Sequence, residues 1–207
     1  MTSEVSVCNL ALSHLGDEAT VSSIDPPEGS EQAERCAMFY PIARNTVLES
    51  HAWGCATTRE PLVELADVDP PDSWAYAYAY PNSCLRPLVL LMPGASDDDD
   101  GKDFVVEETE GGTRVIYTNV EDAELRYIFL QDDTTRYSAL MVNAIARLLA
   151  SYLAGPVIKG SEGMKIAQGQ LEFYEKVDLP KAKAADGNGR KKAQYNGFTP
   201  GSVAARR

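Results

Sequence analysis

The feature that most constrains this chain is a change in the spacing of its apolar residues, which occurs twice. Residues 3–50 repeat apolar positions at helical spacing, residues 53–130 favour a period of two, and helical spacing returns over residues 134–177. Helices at both ends with strands between them favour an α+β fold. We therefore predict a helical bundle formed by residues 1–53 and 134–177, with a small antiparallel β region inserted at 54–133.

The boundaries of the first two helices are indicated by capping residues. Ser3 is a suitable N-cap for the first helix, and Gly16 stands where a helix stop is expected. Ser30 begins a second helix that is predicted to continue to about Ser50. Pro41 falls inside this second helix, so we expect it to kink the helix or to divide it in two.

Two further helices are predicted after the β region. The first has a wide apolar stripe, with Thr134 or Thr135 as its cap and the pair at 155–156, Gly-Pro, as its stop. The second is predicted over residues 161–177. Beyond it, the composition turns to Gly, Ala, Lys, Asn and Arg, and residues 178–207 are predicted to form an extended C-terminal arm.

Strand signals fill the middle of the chain. Residues 74–80 alternate aromatic residues with alanine, which in a strand would place all four aromatic side chains on one face. An apolar run covers residues 85–92. Residues 104–109 and 113–118 flank a Gly-Gly turn and indicate a hairpin, and residues 124–130 are expected to complete a small antiparallel sheet.

Charge is distributed unevenly along the sequence. The chain has 31 acidic residues and 19 Lys and Arg residues, for a net charge of −12. Residues 178–207 alone carry +5, so residues 1–177 carry −17. An acidic body of this kind argues against a protein that coats DNA or a membrane surface, because phosphate binding requires clustered cations.

The cysteines and the apolar runs indicate the compartment. Cys8, Cys36, Cys55 and Cys84 are widely spaced and form no C-x-x-C pair, so we expect free, mostly buried thiols in a reducing compartment. We predict no segment that approaches the roughly 20 apolar residues of a membrane span, and no secretory signal. A soluble protein is expected.

Residues able to carry out catalysis are few. The two histidines, His14 and His51, lie in no metal-binding spacing, although a Cys–His pair could still form in space. The acidic run at 97–100 lacks the alternating ligands of a calcium loop, and a solvated charge run explains it better. The aromatic residues at 74–80 have no neighbouring cations to bind a nucleic acid, so packing is their expected role. We predict no catalytic, cofactor-binding or metal-binding residues.

Several short motifs resemble a known family when they are taken in order. They are VCNLALSHLG at 7–16, AERC at 33–36, YPIAR at 40–44, LESHAW at 48–53, WAYAY at 74–78 and PNSCLR at 81–86. Together they resemble the head-to-tail adaptor family of short-tailed bacteriophages, the tail tubular protein A-like proteins. The motif residues to which the resemblance gives a structural role are Cys8, Asn9, Leu12, Leu15, Gly16, Tyr40, Trp53, Trp74, Tyr76, Cys84 and Arg86.

The resemblance implies a structural role in the virion, at the head–tail interface, after assembly in the host cytoplasm. Family members form a ring, typically a dodecamer, between the portal protein and the tail nozzle protein, and this ring continues the channel through which duplex DNA leaves. The implied protein has no enzymatic activity, no cofactor and no membrane partner. Its C-terminal arm would dock on the portal through Arg190, Lys191, Lys192, Tyr195, Phe198, Arg206 and Arg207.

The sequence leaves two other functions open. One is a stopper or tail-completion connector of another phage morphology. The other, which the sequence favours less, is a metal-dependent hydrolase that uses the acidic run or a Cys–His pair.

Overall fold

Helices and two small antiparallel sheets give the chain an α+β fold, as predicted. The computed structural model describes residues 2–95 and 101–189. The helices are α1 (Glu4–His14), α2 (Glu31–Glu49), α3 (Ala139–Ile158), α4 (Gly160–Phe173) and α5 (Leu179–Gly189). The strands are β1 (Thr57–Pro61), β2 (Tyr76–Ala79), β3 (Cys84–Leu91), β4 (Phe104–Glu108), β5 (Arg114–Thr118) and β6 (Glu124–Phe129).

The first helix has well-defined caps at both ends. Ser3 is its N-cap, and the Ser3 and Ser6 hydroxyls each accept a hydrogen bond from the other residue's backbone N–H. At the other end, Gly16 adopts φ +74, which a residue without a Cβ adopts at little cost. The N–H of Asp17 then donates to the Leu12 carbonyl, in the pattern of a Schellman motif. Both predicted ends of α1 are confirmed.

The second helix begins after Ser30 as predicted, but Pro41 does not divide it. Helix α2 is continuous from Glu31 to Glu49. Tyr40 and Ala43, on either side of the proline, are buried in the core, whereas Pro41 itself is exposed. Packing against α3 therefore keeps the helix intact where the local sequence favours a break.

The start and the end predicted for α3 are both wrong. Thr134 lies in a separate 3-10 turn (Thr134–Arg136), and the N-cap is Ser138, whose hydroxyl accepts from the Met141 N–H. The helix also continues through Gly155 and Pro156 to Ile158, because packing against α1, α2 and α4 outweighs the helix-breaking tendency of that pair. Its actual end is at Lys159, which has φ +62.

Helix α4 returns along α3 at very close range. A Cβ placed on Gly163 would stand 2.9 Å from the carbonyl oxygen of Ala154 in α3. A side chain at this position would force the two backbones apart. Gly163 therefore serves helix packing, although glycine weakens a helix in isolation.

The β region forms two sheets instead of one. Strands β4 and β5 pair antiparallel, which confirms the predicted hairpin, and β2 pairs with the other edge of β5. Strand β6 was expected to extend that sheet but instead lies between β1 and β3 in a second sheet. The two sheets are linked where the N–H of Lys102 donates to the Leu90 carbonyl.

The aromatic alternation at 74–80 does not place its four rings together. Strand β2 begins only at Tyr76. Tyr76, Tyr78 and Tyr80 pack in one apolar cluster, whereas Trp74 precedes the strand and packs in another, against Ala77. The prediction of one shared face is therefore wrong for Trp74, because the period-two rule applies only within the strand.

The predicted extended arm is wrong over its first part. A π-helical turn (Tyr174–Asp178) continues α4, and α5 follows it. Ala182 of α5 is fully buried in the main core. Burial of this face outweighs the weak helix-forming tendency of a Gly- and Asn-containing sequence. The remainder, 190–207, lies outside the described residues.

The largest apolar core joins the helices. Residues of α1, α2 and α3 dominate it, and Trp53, Ile128 and Tyr174 complete it. Helix α3 is the one helix in the described part of the chain that is long and apolar enough to cross a membrane, so the prediction that no segment approaches this length is wrong. Half of that apolar segment is buried within the protein, against the neighbouring helices.

Candidate assembly site at the C-terminal helix

The residues predicted to dock on the portal follow α5 in the sequence and lie outside the described residues. The contacts that attach α5 to the rest of the protein are therefore the described structure nearest to them in the sequence. Asp186 makes the attachment. Its Oδ1 accepts a hydrogen bond of 2.9 Å from the Gly54 backbone N–H, and its Oδ2 lies 3.1 Å from Nε2 of His51. One carboxylate therefore joins the C-terminal helix to the turn that follows α2.

The turn that receives Asp186 is held rigidly. The imidazole of His51 packs edge-on against the indole of Trp53, with ring centroids 4.9 Å apart. The Trp53 ring is buried, and its Nε1 donates to the Val47 carbonyl at 2.8 Å. Because the indole is fixed by both packing and a hydrogen bond, it fixes in turn the position of His51.

Strand β3 meets the same region through Arg86. Its Nη1 donates to the Glu49 carbonyl at the end of α2, at 2.7 Å. Lys183 of α5 lies close by, and burial, followed by the Arg86 charge, lowers the pKa of Lys183. The end of α2, β3 and α5 thus converge, which joins the helical part to the β region.

A second set of contacts attaches α4 and the π-helical turn, which precede α5, to α3. Arg147 of α3 donates from Nε to Asp178 at 3.0 Å and from Nη1 to Gln170 at 2.8 Å, and its guanidinium lies 5.2 Å from the Phe173 ring centroid. Gln170 donates in turn to the His14 carbonyl at the end of α1. These contacts hold the π-helical turn against the core, and π-helical turns occur frequently at functional sites.

The side chain of His14 sits beside this network. Its Nε2 is buried and has no hydrogen-bond partner within the described part of the chain. Burial lowers the pKa of His14, and the nearby positive charge of Arg147 lowers it further, although Asp178 opposes this effect. The neutral imidazole is therefore the favoured form in the folded protein.

The motif residues of the predicted family occupy structural positions in three places. Asn9 binds the loop after α1, because its side chain accepts from the Val21 N–H at 2.7 Å and donates to the Val21 carbonyl at 2.9 Å. Those in or against the main core are Cys8, Leu12, Leu15, Tyr40 and Trp53. Those in the smaller clusters of the β region are Trp74, Tyr76 and Cys84. Only Arg86 and Trp53 belong to the region around α5.

The cysteines are all free, and three of the four are buried. Cys8 does not pair with His14. Instead, a hydrogen bond with the Cys36 thiol and burial both raise the pKa of Cys8. The sulfur of Cys55 lies 3.9 Å from the Met141 sulfur.

Within residues 2–95 and 101–189, no group of three or more His, Cys, Asp or Glu side chains could hold a metal ion. The acidic run at 97–100 falls outside these ranges.

The residues proposed to dock on the portal, Arg190, Lys191, Lys192, Tyr195, Phe198, Arg206 and Arg207, all lie outside the described residues. Sequence reasoning missed Asp186 and Arg147. These two residues attach the segment that precedes the predicted docking residues to the rest of the protein. One signal for α5 was present, because residues 181–185 contain three alanines and two lysines, which all favour a helix.

No protein-family model matches the sequence, and neither does any curated protein.

Proposed function

We propose that this protein is a ring-forming head-to-tail adaptor, which joins a phage portal to the tail nozzle and continues the DNA channel between them. The order of the six motifs at residues 7–86, which resembles that family, is the observation that carries the proposal. The ring is expected to be a dodecamer of this chain, with no enzymatic activity.

The attachment of α5 supports the proposal. Asp186 and the buried Ala182 hold the helix against the body up to Gly189. Helix α5 therefore ends at a fixed place on the body, and the basic segment 190–207 follows it in the sequence. In a ring of identical subunits, each subunit would present an equivalent basic segment to the same partner. Several weak contacts of this kind together give strong binding.

The charge distribution suits passage of DNA. The negative charge of residues 1–177 repels the phosphate backbone, so a channel wall formed by this body would not retain the duplex. The cations and aromatic residues of 190–207 are of the types that are enriched at protein interfaces. We assign the body to the channel and the C-terminal segment to the portal.

Deletion of residues 190–207 tests the docking role. The cut falls after Gly189, because a cut at residue 181 would remove Ala182 and Asp186 and disturb the body itself. The shortened protein is expected to keep the thermal unfolding midpoint of the full chain but to stop co-sedimenting with rings of its cognate portal. Co-sedimentation of the shortened protein at full-length affinity would refute the docking role.

Two double substitutions test whether portal binding requires the positive charge of residues 190–207 or only the overall charge of the protein. Replacement of Lys191 and Lys192 by glutamine should weaken portal binding, whereas replacement of the exposed Lys165 and Lys176 in the α4 region removes the same charge and should not. Negative-stain microscopy of the full chain mixed with portal should show a second ring on the portal axis. Portal rings without this added density would contradict the adaptor role itself.

A further inference from the structure

A groove of about 660 Å³ opens where the two sheets meet. Its apolar lining comes from Tyr76, Met92 and Val120, and Met92 is half exposed. Two hydrogen bonds fix its wall, since the Val120 carbonyl accepts from the Tyr78 hydroxyl and the Thr118 hydroxyl donates to the Asp103 carbonyl. The groove is thus a formed surface with an apolar floor.

The rim of the groove is acidic. Asp103, Glu121 and Asp122 contribute three carboxylates, and Lys102 contributes a single opposing charge. A ligand that fits this surface needs cations for the rim and an aromatic or aliphatic group for the floor. Free acidic ligands and phosphates are disfavoured by the same charges.

One segment of this chain has that chemistry. Residues 190–207 contain five cations and no acidic residue, together with Tyr195 and Phe198. The segment is complementary to the groove in charge and provides rings of the size that an apolar floor accommodates.

The segment is also long enough to reach the groove. Asp186 of α5 contacts His51 and Gly54 after α2, and Arg86 near the start of β3 donates to the Glu49 carbonyl at the end of α2. The groove begins at Met92, just after the end of β3. Six residues of strand span about 20 Å. Eighteen residues of extended chain reach up to about 60 Å, so the segment can reach its own groove with length to spare.

We propose that, in the free protein, residues 190–207 bind in the groove of their own chain, with Lys191 and Lys192 facing the carboxylates of Glu121 and Asp122. Tethering favours this arrangement over binding to a second copy, because the local concentration of a linked segment is in the millimolar range. The arrangement holds the basic segment on the body until a stronger partner competes for it. It concerns the free protein alone and does not depend on the adaptor role.

Zero-length cross-linking of the full chain tests the proposal. A carbodiimide should join the amine of Lys191 or Lys192 to Asp103, Glu121 or Asp122 as an amide. Mixing unlabelled and nitrogen-15-labelled protein before the reaction identifies the donor chain, and the expected cross-links contain one isotope only. Mixed-isotope cross-links would assign the groove to a second copy, and links from these lysines only to other carboxylates would show that the groove is not the site. Either result overturns the proposal.

Tryptic cleavage at residues 190–192 provides an independent measurement. The double variant Glu121→Gln and Asp122→Asn should be cleaved there roughly threefold faster than the unmodified chain, because two charge contacts to the segment are lost. The matched control, Glu107→Gln with Glu108→Gln, removes the same charge from exposed positions on β4 outside the groove and should leave the rate unchanged. Equal cleavage rates in the two double variants would overturn the proposal.

Discussion

The carboxylate of Asp186 lies 3.1 Å from Nε2 of His51, although 135 residues separate them in the sequence. The same carboxylate accepts from the Gly54 N–H. These two contacts attach α5 to the turn that follows α2, where the helical part of the chain meets the β region.

Replacement of Asp186 by alanine should therefore release α5. The substitution removes both hydrogen bonds, and we expect the free energy of unfolding to fall by about 1–2 kcal/mol. Amide hydrogen exchange over residues 179–189 should accelerate, together with that of Gly54. Glu175→Ala is the control, since Glu175 is an exposed acid in the neighbouring π-helical turn. Unchanged exchange in α5 of the Asp186 variant would show that the helix is held by apolar packing alone.

Gly163 and Gly169 provide a matched pair within α4. A methyl group at Gly163 would meet the Ala154 carbonyl at 2.9 Å, whereas one at Gly169 would meet no atom within 4 Å. We expect Gly163→Ala to destabilise the protein by about 1–3 kcal/mol through overpacking. Gly169→Ala should stabilise it by about 0.5–1 kcal/mol through the better helix propensity of alanine. Urea unfolding measures both, and shifts of the same sign would contradict the close approach of α3 and α4.

Asn9 should be important for the loop that follows α1. Its amide makes two hydrogen bonds with the backbone of Val21, which is itself nearly fully buried. Asn9→Ala leaves those backbone groups without their side-chain partner and should cost about 1–3 kcal/mol in unfolding free energy. Ser13→Ala removes a hydroxyl that donates to the carbonyl of Asn9 in the same helix, and should cost less than about 0.5 kcal/mol. Thermal denaturation of the two variants measures the difference.

The sequence was informative where local rules decide the structure. The caps at Ser3, Gly16 and Ser30 and the hairpin of β4 and β5 follow from side-chain hydrogen bonds, positive φ angles and turn residues that act over a few positions. The class of fold followed from the period of the apolar residues, which is also a local property.

The sequence misled where packing outweighs local preference. Pro156 lies inside continuous α3 and Pro41 does not divide α2, because burial on either side exceeds the cost of a break. The partners of β6 depend on contacts with strands far away in the chain, and periodicity does not contain that information. Asp186 was missed for the same reason, since a lone acid in a basic, Gly-rich segment gives no sign of a histidine 135 residues earlier.

The pH dependence of stability should report on His14. Its pKa is lowered in the folded protein by burial and by Arg147, whereas an unfolded chain titrates near about 6.5. Below that pH the unfolded state binds more protons than the folded state, so the stability contributed by neutral His14 is complete above about pH 6.5 and falls as the pH decreases. The variant His14→Gln lacks this titration, and its urea midpoint should decrease less between pH 7 and pH 5.5 than that of the unmodified chain. Equal decreases in the two proteins would show that His14 titrates alike in the folded and unfolded states.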